Sequence, residues 1–238
     1  MLAAALIALV PEVSAAPALD VRIVLAADVS RSIDADEFEL QQRGYAAAIS
    51  DPRVIDAILA GKHGAIAVAF VEWAGSDEQA TIIDWKVIAS AADARAFAAA
   101  LAEAPRAFVG RTAIGSALDY AVGALNASGF DADRSVIDVS GDGTSNQGDM
   151  VSAARDAATA AGIAINGLAI FNRRAAAEGG YLALHTNPPG GIDQYYRDNV
   201  IGGLGAFVIR IDDFGSFEQA MIQKLITEIS ATSTPPRG

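Results

Sequence analysis

Cysteine is absent from this 238-residue chain, which removes disulfides, thiolate nucleophiles and cysteine-ligated zinc together. Basic residues are scarce: 17 Lys and Arg stand against 29 Asp and Glu, a net charge of -12. That balance argues against a nucleic-acid surface, because phosphate contacts need clustered Lys and Arg. No such cluster and no basic amphipathic stretch occurs. The usual catalytic signatures are missing as well. There is no G-x-S-x-G elbow, no phosphate-binding P-loop and no G-x-G-x-x-G opening a helix. The two histidines, His63 and His185, fall in different loops with no carboxylate at useful spacing, and read as neither base nor ligand.

Leu2 to Val10 is an apolar run, followed by Pro11 and the small residues Ser14-Ala15-Ala16-Pro17-Ala18. This pattern is that of a secretory signal over residues 1–18, although no Lys or Arg precedes the run. It is too short to span a bilayer, and no other segment of the mature chain is a candidate span. The expected location is therefore exported, periplasmic or secreted. Residues 19–231 read as one domain, and 232–238 as a disordered tail.

Apolar strands alternate with helices along that domain. Val21 to Ala27 and Ala65 to Val71 are nearly continuous apolar runs, fit for strands buried on both faces. Thr81 to Ile88 alternates, as an antiparallel edge strand does. Ser135 to Ser140, Ile163 to Phe171 and Ala206 to Ile211 complete six strands. Asp34 with Glu37 forms a capping box for a first helix, Asp51-Pro52 starts a second, and Ser90 with Asp93 a third. Helices are also expected over about 114–125 and 149–161, and Ser216 with Gln219 is expected to cap the last one. Asn172 to Gly205 reads as long and irregular, with one short helix near Asp193 to Val200. The expected fold is α/β, Rossmann-like and doubly wound. It has a mostly parallel six-stranded sheet with one antiparallel edge strand and helices on both faces.

Ligands of such sheets bind at the carboxyl ends of the strands. Asp28-Val29-Ser30-Arg31-Ser32 leaves the first strand there, with a carboxylate and two hydroxyls on alternate residues. Thr112 precedes a helix, in Gly110-Arg111-Thr112, and Asp142 follows the fourth strand between two glycines. Five oxygen-bearing side chains suit a hard divalent cation. Singly, each is equally a helix cap or a turn residue.

Together they resemble the von Willebrand factor type A family. Its metal-ion-dependent adhesion site is a D-x-S-x-S run after the first strand, a Thr from a middle loop and an Asp after the fourth strand. More narrowly, the chain is similar to a group of exported proteobacterial proteins known only as a domain of unknown function. The Tyr195-Tyr196 pair before the last strand fits that group. The resemblance implies that Ser30 and Ser32 ligate the metal directly. It implies that Thr112, Asp28 and Asp142 act directly or through water, and that one position stays open for an acidic residue of a partner. Mg²⁺ is the expected ion, with Mn²⁺ or Ca²⁺ as alternatives.

The function this implies is metal-dependent capture of a protein ligand through an exposed Asp or Glu. A metal-assisted hydrolase on the same fold is the alternative, as is a scaffold with a non-functional site. No nucleophile or general base marks the enzyme reading. Asp138, a carboxylate inside an apolar strand, reads as half of a structural salt bridge to an Arg, with support of the metal site as the alternative. Trp73, Tyr195 and Tyr196 read as core packing or an aromatic rim. Arg31, Arg173 and Arg174 read as rim residues.

Overall fold

The computed structural model describes residues 17–231. Most of the expected export signal and the whole expected tail lie outside the described residues. Six strands form one sheet: β1 (Val21–Asp28), β2 (Ile66–Trp73), β3 (Gln79–Ile88), β4 (Ser135–Gly141), β5 (Ile163–Ile170) and β6 (Val208–Ile211). Their order is β3-β2-β1-β4-β5-β6. β1 pairs in parallel with both β2 and β4, and β3 runs antiparallel to β2 at the edge. β1 and β2 are buried along almost their whole length, which is why their sequences are continuous apolar runs rather than alternating ones.

Helices cover both faces. On one side lie α1 (Ala35–Ser50), α2 (Pro52–Leu59), α3 (Ala91–Glu103) and α9 (Phe217–Ser230). On the other lie α4 (Ile114–Ala127), α5 (Val151–Ala160) and α8 (Ile192–Asn199). The Asp34–Glu37 capping box is formed in both directions, and Asp51 and Ser90 cap α2 and α3 as expected.

Two segments differ from the sequence reading. Asn172 to Gly205 holds three helices rather than one: α6 (Arg173–Glu178), α7 (Gly180–Thr186) and α8. Gly179 and Gly180, at φ of 75° and 67°, break the chain between α6 and α7 into pieces too short to show a helical period. Before α9, Ser216 makes no cap bond. Asp213 instead accepts from the Ser216 amide and caps a short 3₁₀ turn, Phe214–Ser216, that leads into the helix.

A buried ionic cluster ties α9 to the sheet. Lys224 Nζ lies 2.9 Å from Asp138 Oδ1 and 2.5 Å from Glu228 Oε1, with all three side chains fully buried. Asn166 donates to the same Glu228 oxygen at 2.8 Å. Asp138 is thus structural, as expected, but its partner is a lysine from the last helix and not an arginine. Burial, then the neighbouring Glu228, pushes Asp138 up to about 8, against the opposing pull of Lys224. The ammonium sits beside Asp138 without a well-aligned hydrogen bond, so both carboxylate oxygens lack one.

Candidate metal centre

Parallel pairing of β1 and β4 sets the site. The register puts Ala27 opposite Ser140, so Asp28 and Asp142 leave the sheet side by side. Gly141 makes this approach possible: a Cβ there would lie 2.9 Å from Asp28 Oδ2 and 2.6 Å from Tyr196 Oη. Side chains longer than glycine are excluded by the carboxylate itself.

All five expected residues come together and all are buried. The Ser30 amide donates to Asp28 Oδ1 at 2.7 Å, which folds the D-x-S-x-S run back on itself. Ser30 Oγ and Ser32 Oγ stand 3.2 Å apart, and Thr112 Oγ1 donates to Ser30 Oγ at 3.2 Å. Ser32 Oγ donates to Asp142 Oδ1 at 2.6 Å. Donors at right angles around a small cation, with bonds of about 2.1 Å, stand about 3.0 Å apart. The hydroxyl spacings already match that.

The electrostatics of the two carboxylates follow from their burial. Asp28 Oδ2 is buried with no hydrogen-bond partner. Burial, and then the negative Asp142, pushes Asp28 up to about 8. Burial raises Asp142 to about 6, held back by hydrogen bonds from Ser32 and Asn172. Two buried carboxylates with so little compensation are costly unless a cation joins them. The donor set, all oxygen and mostly uncharged, fits a divalent ion such as Mg²⁺.

Several supporting residues carry no motif. Asn172 Nδ2 donates to Asp142 Oδ2 at 2.7 Å and to the Ser32 carbonyl at 3.1 Å, while its Oδ1 accepts from Ala175 N and caps α6. Arg106 donates to the carbonyls of Val29, Ser30 and Ile33 at 2.7–2.9 Å, gripping the motif loop from outside. Gln41 donates to the Asp28 carbonyl, and Asn146 exchanges bonds with the Thr112 backbone. Asn172 lies at a strand end, so its position was a usable signal. Arg106 and Gln41 reach the loop only through tertiary packing.

Other expectations fall as follows. Trp73 and Tyr196 are fully buried, so they belong to the core and not to an aromatic rim. Arg174 is not a free rim residue. It pairs with Asp34, Glu37 and Glu178 and donates to the Ser32 carbonyl. Arg31 is exposed beside Arg111 in a cavity of about 270 Å³ at the mouth, with Tyr181 and His185 in its wall. His185 corrects the sequence reading. It lies in α7 and not in a loop, and its Nε2 is 3.1 Å from Thr112 Oγ1.

His63 joins Asp20 and Asp133 at the opposite, amino end of the strands. Lys62 Nζ already bonds Asp133 there at 3.0 Å, and Asp20 is taken up by the amides of His63 and Ala65. That group carries its own cation and its own donors.

A family model described as "Protein of unknown function (DUF1194)" matches residues 18–233. The chain belongs to this family. Comparison with curated proteins gives no match. Among solved structures, proximal thread matrix protein 1 from the mussel byssus superposes with a TM-score of 0.58 at 16% identity. The match covers 90% of this chain and 47% of the mussel chain, so this chain spans about half its length. The same mussel protein with a zinc-occupied MIDAS motif gives 0.55 at 17% identity, over 90% of this chain and 47% of that one. An aerotolerance-related membrane protein from Bacteroides fragilis gives 0.53 at 20% identity, over 87% of this chain and 99% of the other. A von Willebrand factor type A protein from Catenulispora acidiphila gives 0.58 at 14%, over 89% and 43%. The fold is that of the von Willebrand factor type A domains. Among the described residues no helix is long and apolar enough to cross a membrane.

Proposed function

We propose that the chain is a metal-dependent binding module that captures a protein ligand through an acidic side chain. The observation that carries this reading is the buried pair Asp28 and Asp142, set among three hydroxyls at the carboxyl edge of the sheet with an unpartnered carboxylate oxygen. Ser30, Ser32 and Thr112 hold the ion, and Asp28 and Asp142 orient those hydroxyls and balance its charge. Bound there, a divalent cation supplies a Lewis-acidic position for a carboxylate. With few direct carboxylate ligands, the ion keeps enough charge to attract a partner's Asp or Glu.

The surroundings support a protein ligand. Exposed Arg31 and Arg111 flank the mouth, and Val109 and Tyr181 present exposed apolar surface beside it. Mg²⁺ is the proposed ion, and the zinc held by the mussel protein's motif makes Zn²⁺ a second candidate. The apolar run Leu2–Val10 and the small residues after it support placement outside the cytoplasm.

A pull-down from an extract of exported proteins tests the reading. Capture in Mg²⁺ that disappears with chelator and in Asp28→Ala supports it. Capture unchanged by both contradicts it.

A further inference from the structure

An imidazole from the chain itself reaches the oxygen cluster at Thr112. Resting on the metal reading above, we infer that His185 is a nitrogen donor to the same ion, so that the site binds metals that accept imidazole more tightly than its oxygens alone would. Its Nε2 stands 3.1 Å from Thr112 Oγ1, the spacing of adjacent ligands on one small cation and close to the 3.2 Å between Thr112 Oγ1 and Ser30 Oγ.

The ring is held on every side. A Cβ on Gly143 would lie 2.5 Å from Nε2, so only glycine at the residue after Asp142 admits the imidazole. Nδ1 is 3.2 Å from Thr144 Oγ1, and the Thr144 amide donates to the His185 carbonyl at 3.0 Å. Tyr181 stacks on the ring at 5.9 Å, nearly parallel. Of the two tautomers, the one with its proton on Nδ1, donated to Thr144, puts the Nε2 lone pair on the Thr112 side, where an ion would accept it. Metal-binding histidines are commonly oriented in this way, by a hydrogen bond from the other nitrogen.

An oxygen-only shell suits Mg²⁺, Ca²⁺ and Mn²⁺, whereas an added imidazole favours Co²⁺, Ni²⁺ and Zn²⁺. In this arrangement α7 supplies both the donor and a cover, and an acidic ligand reaches the ion by taking the place of His185.

The chain has only two histidines, which makes the test clean. Co²⁺ and Mg²⁺ affinities are measured by calorimetry for the full chain and for His185→Ala, His185→Gln and His63→Ala. Loss of an outer hydrogen-bond partner costs about tenfold or more in affinity, so loss of a direct donor is expected to cost at least that for Co²⁺. Mg²⁺ affinity is expected to hold within about twofold, because Mg²⁺ gains little from imidazole. Proton NMR of the Co²⁺-loaded protein is expected to show an exchangeable imidazole signal outside the diamagnetic range, absent in His185→Ala and kept in His63→Ala. If the variants do not fold, the signal in the unmodified chain decides. Equal losses for both metals, or no shifted imidazole signal, overturn the inference and leave the binding-module reading standing. Failure of the unmodified chain to bind either ion overturns both.

Discussion

Two buried carboxylate pairs lie along β4, and they are solved differently. Asp138 and Glu228 have Lys224 between them, an ammonium supplied by α9 and fully buried with its partners. Asp28 and Asp142, above them at the carboxyl edge, have hydroxyls and amides around them but no ammonium. Arg106 lies near enough to lower Asp28 somewhat, yet its hydrogen bonds go to the loop carbonyls. The lower pair holds its cation within the chain. The upper pair has no such cation within the chain, and in the proposed function an ion from solution completes it. A carboxylate cluster that brings its own cation holds elements together, whereas one without it stays costly to bury unless an ion joins it.

The largest expected effect breaks the lower cluster. Lys224→Met leaves two buried acids without their cation and is expected to cost about 3–5 kcal/mol of stability. Urea unfolding measures this, and added Mg²⁺ is expected to restore none of it. Recovery with Mg²⁺ would mean that the two clusters are not distinct.

The upper cluster is expected to respond with the opposite sign. In the cation-free protein Asp28 titrates near 8, against an ordinary value of 3.8. Its folded-state pKa is raised, so its contribution to stability is full below the unfolded value and is lost as pH rises through about 8. An ion binds the ionised form and reverses that trend. The gap in Tm between Mg²⁺ and chelator is therefore expected to widen from pH 5 to pH 8. Asp28→Asn is expected to raise the cation-free stability at pH 8 by about 1 kcal/mol or more and to abolish the gap. A gap that stays constant with pH would contradict this.

Asn172→Ala removes a hydrogen bond to a charged carboxylate and the cap of α6. It is expected to cost about 1–2 kcal/mol by thermal or urea unfolding. Metal affinity is expected to fall about 10–100-fold with it, because Asp142 loses its orientation. The smallest effect belongs to the exposed mouth. Arg31→Ala is expected to leave stability within about 0.5 kcal/mol while weakening partner capture. A large loss of stability there would place Arg31 in the scaffold.

The contrast between the two clusters was only half legible in the sequence. β1, β2 and β4 announce themselves as apolar runs, and the acids and hydroxyls at their ends follow in fixed order, so the upper donor set was readable. Lys224 was not, because a single lysine in an amphipathic helix gives no sign of turning inward. Arg106, Gln41 and His185 were equally silent. Each reaches the site through packing of distant elements, and α7, which carries His185, is too short between Gly180 and Asn187 to show a helical period. The cap before α9 falls three residues ahead of the Ser216–Gln219 pattern, because the Asp213 carboxylate accepts from the Ser216 amide.

The central claim is that the upper cluster is incomplete without an ion. Calorimetric titration with Mg²⁺ at pH 7, in two buffers of different ionisation enthalpy, tests it most directly. The expected result is one ion bound per chain with release of protons, because Asp28 must ionise to receive it, and loss of both binding and release in Asp28→Asn. No binding, or binding that Asp28→Asn leaves unchanged, would contradict the account.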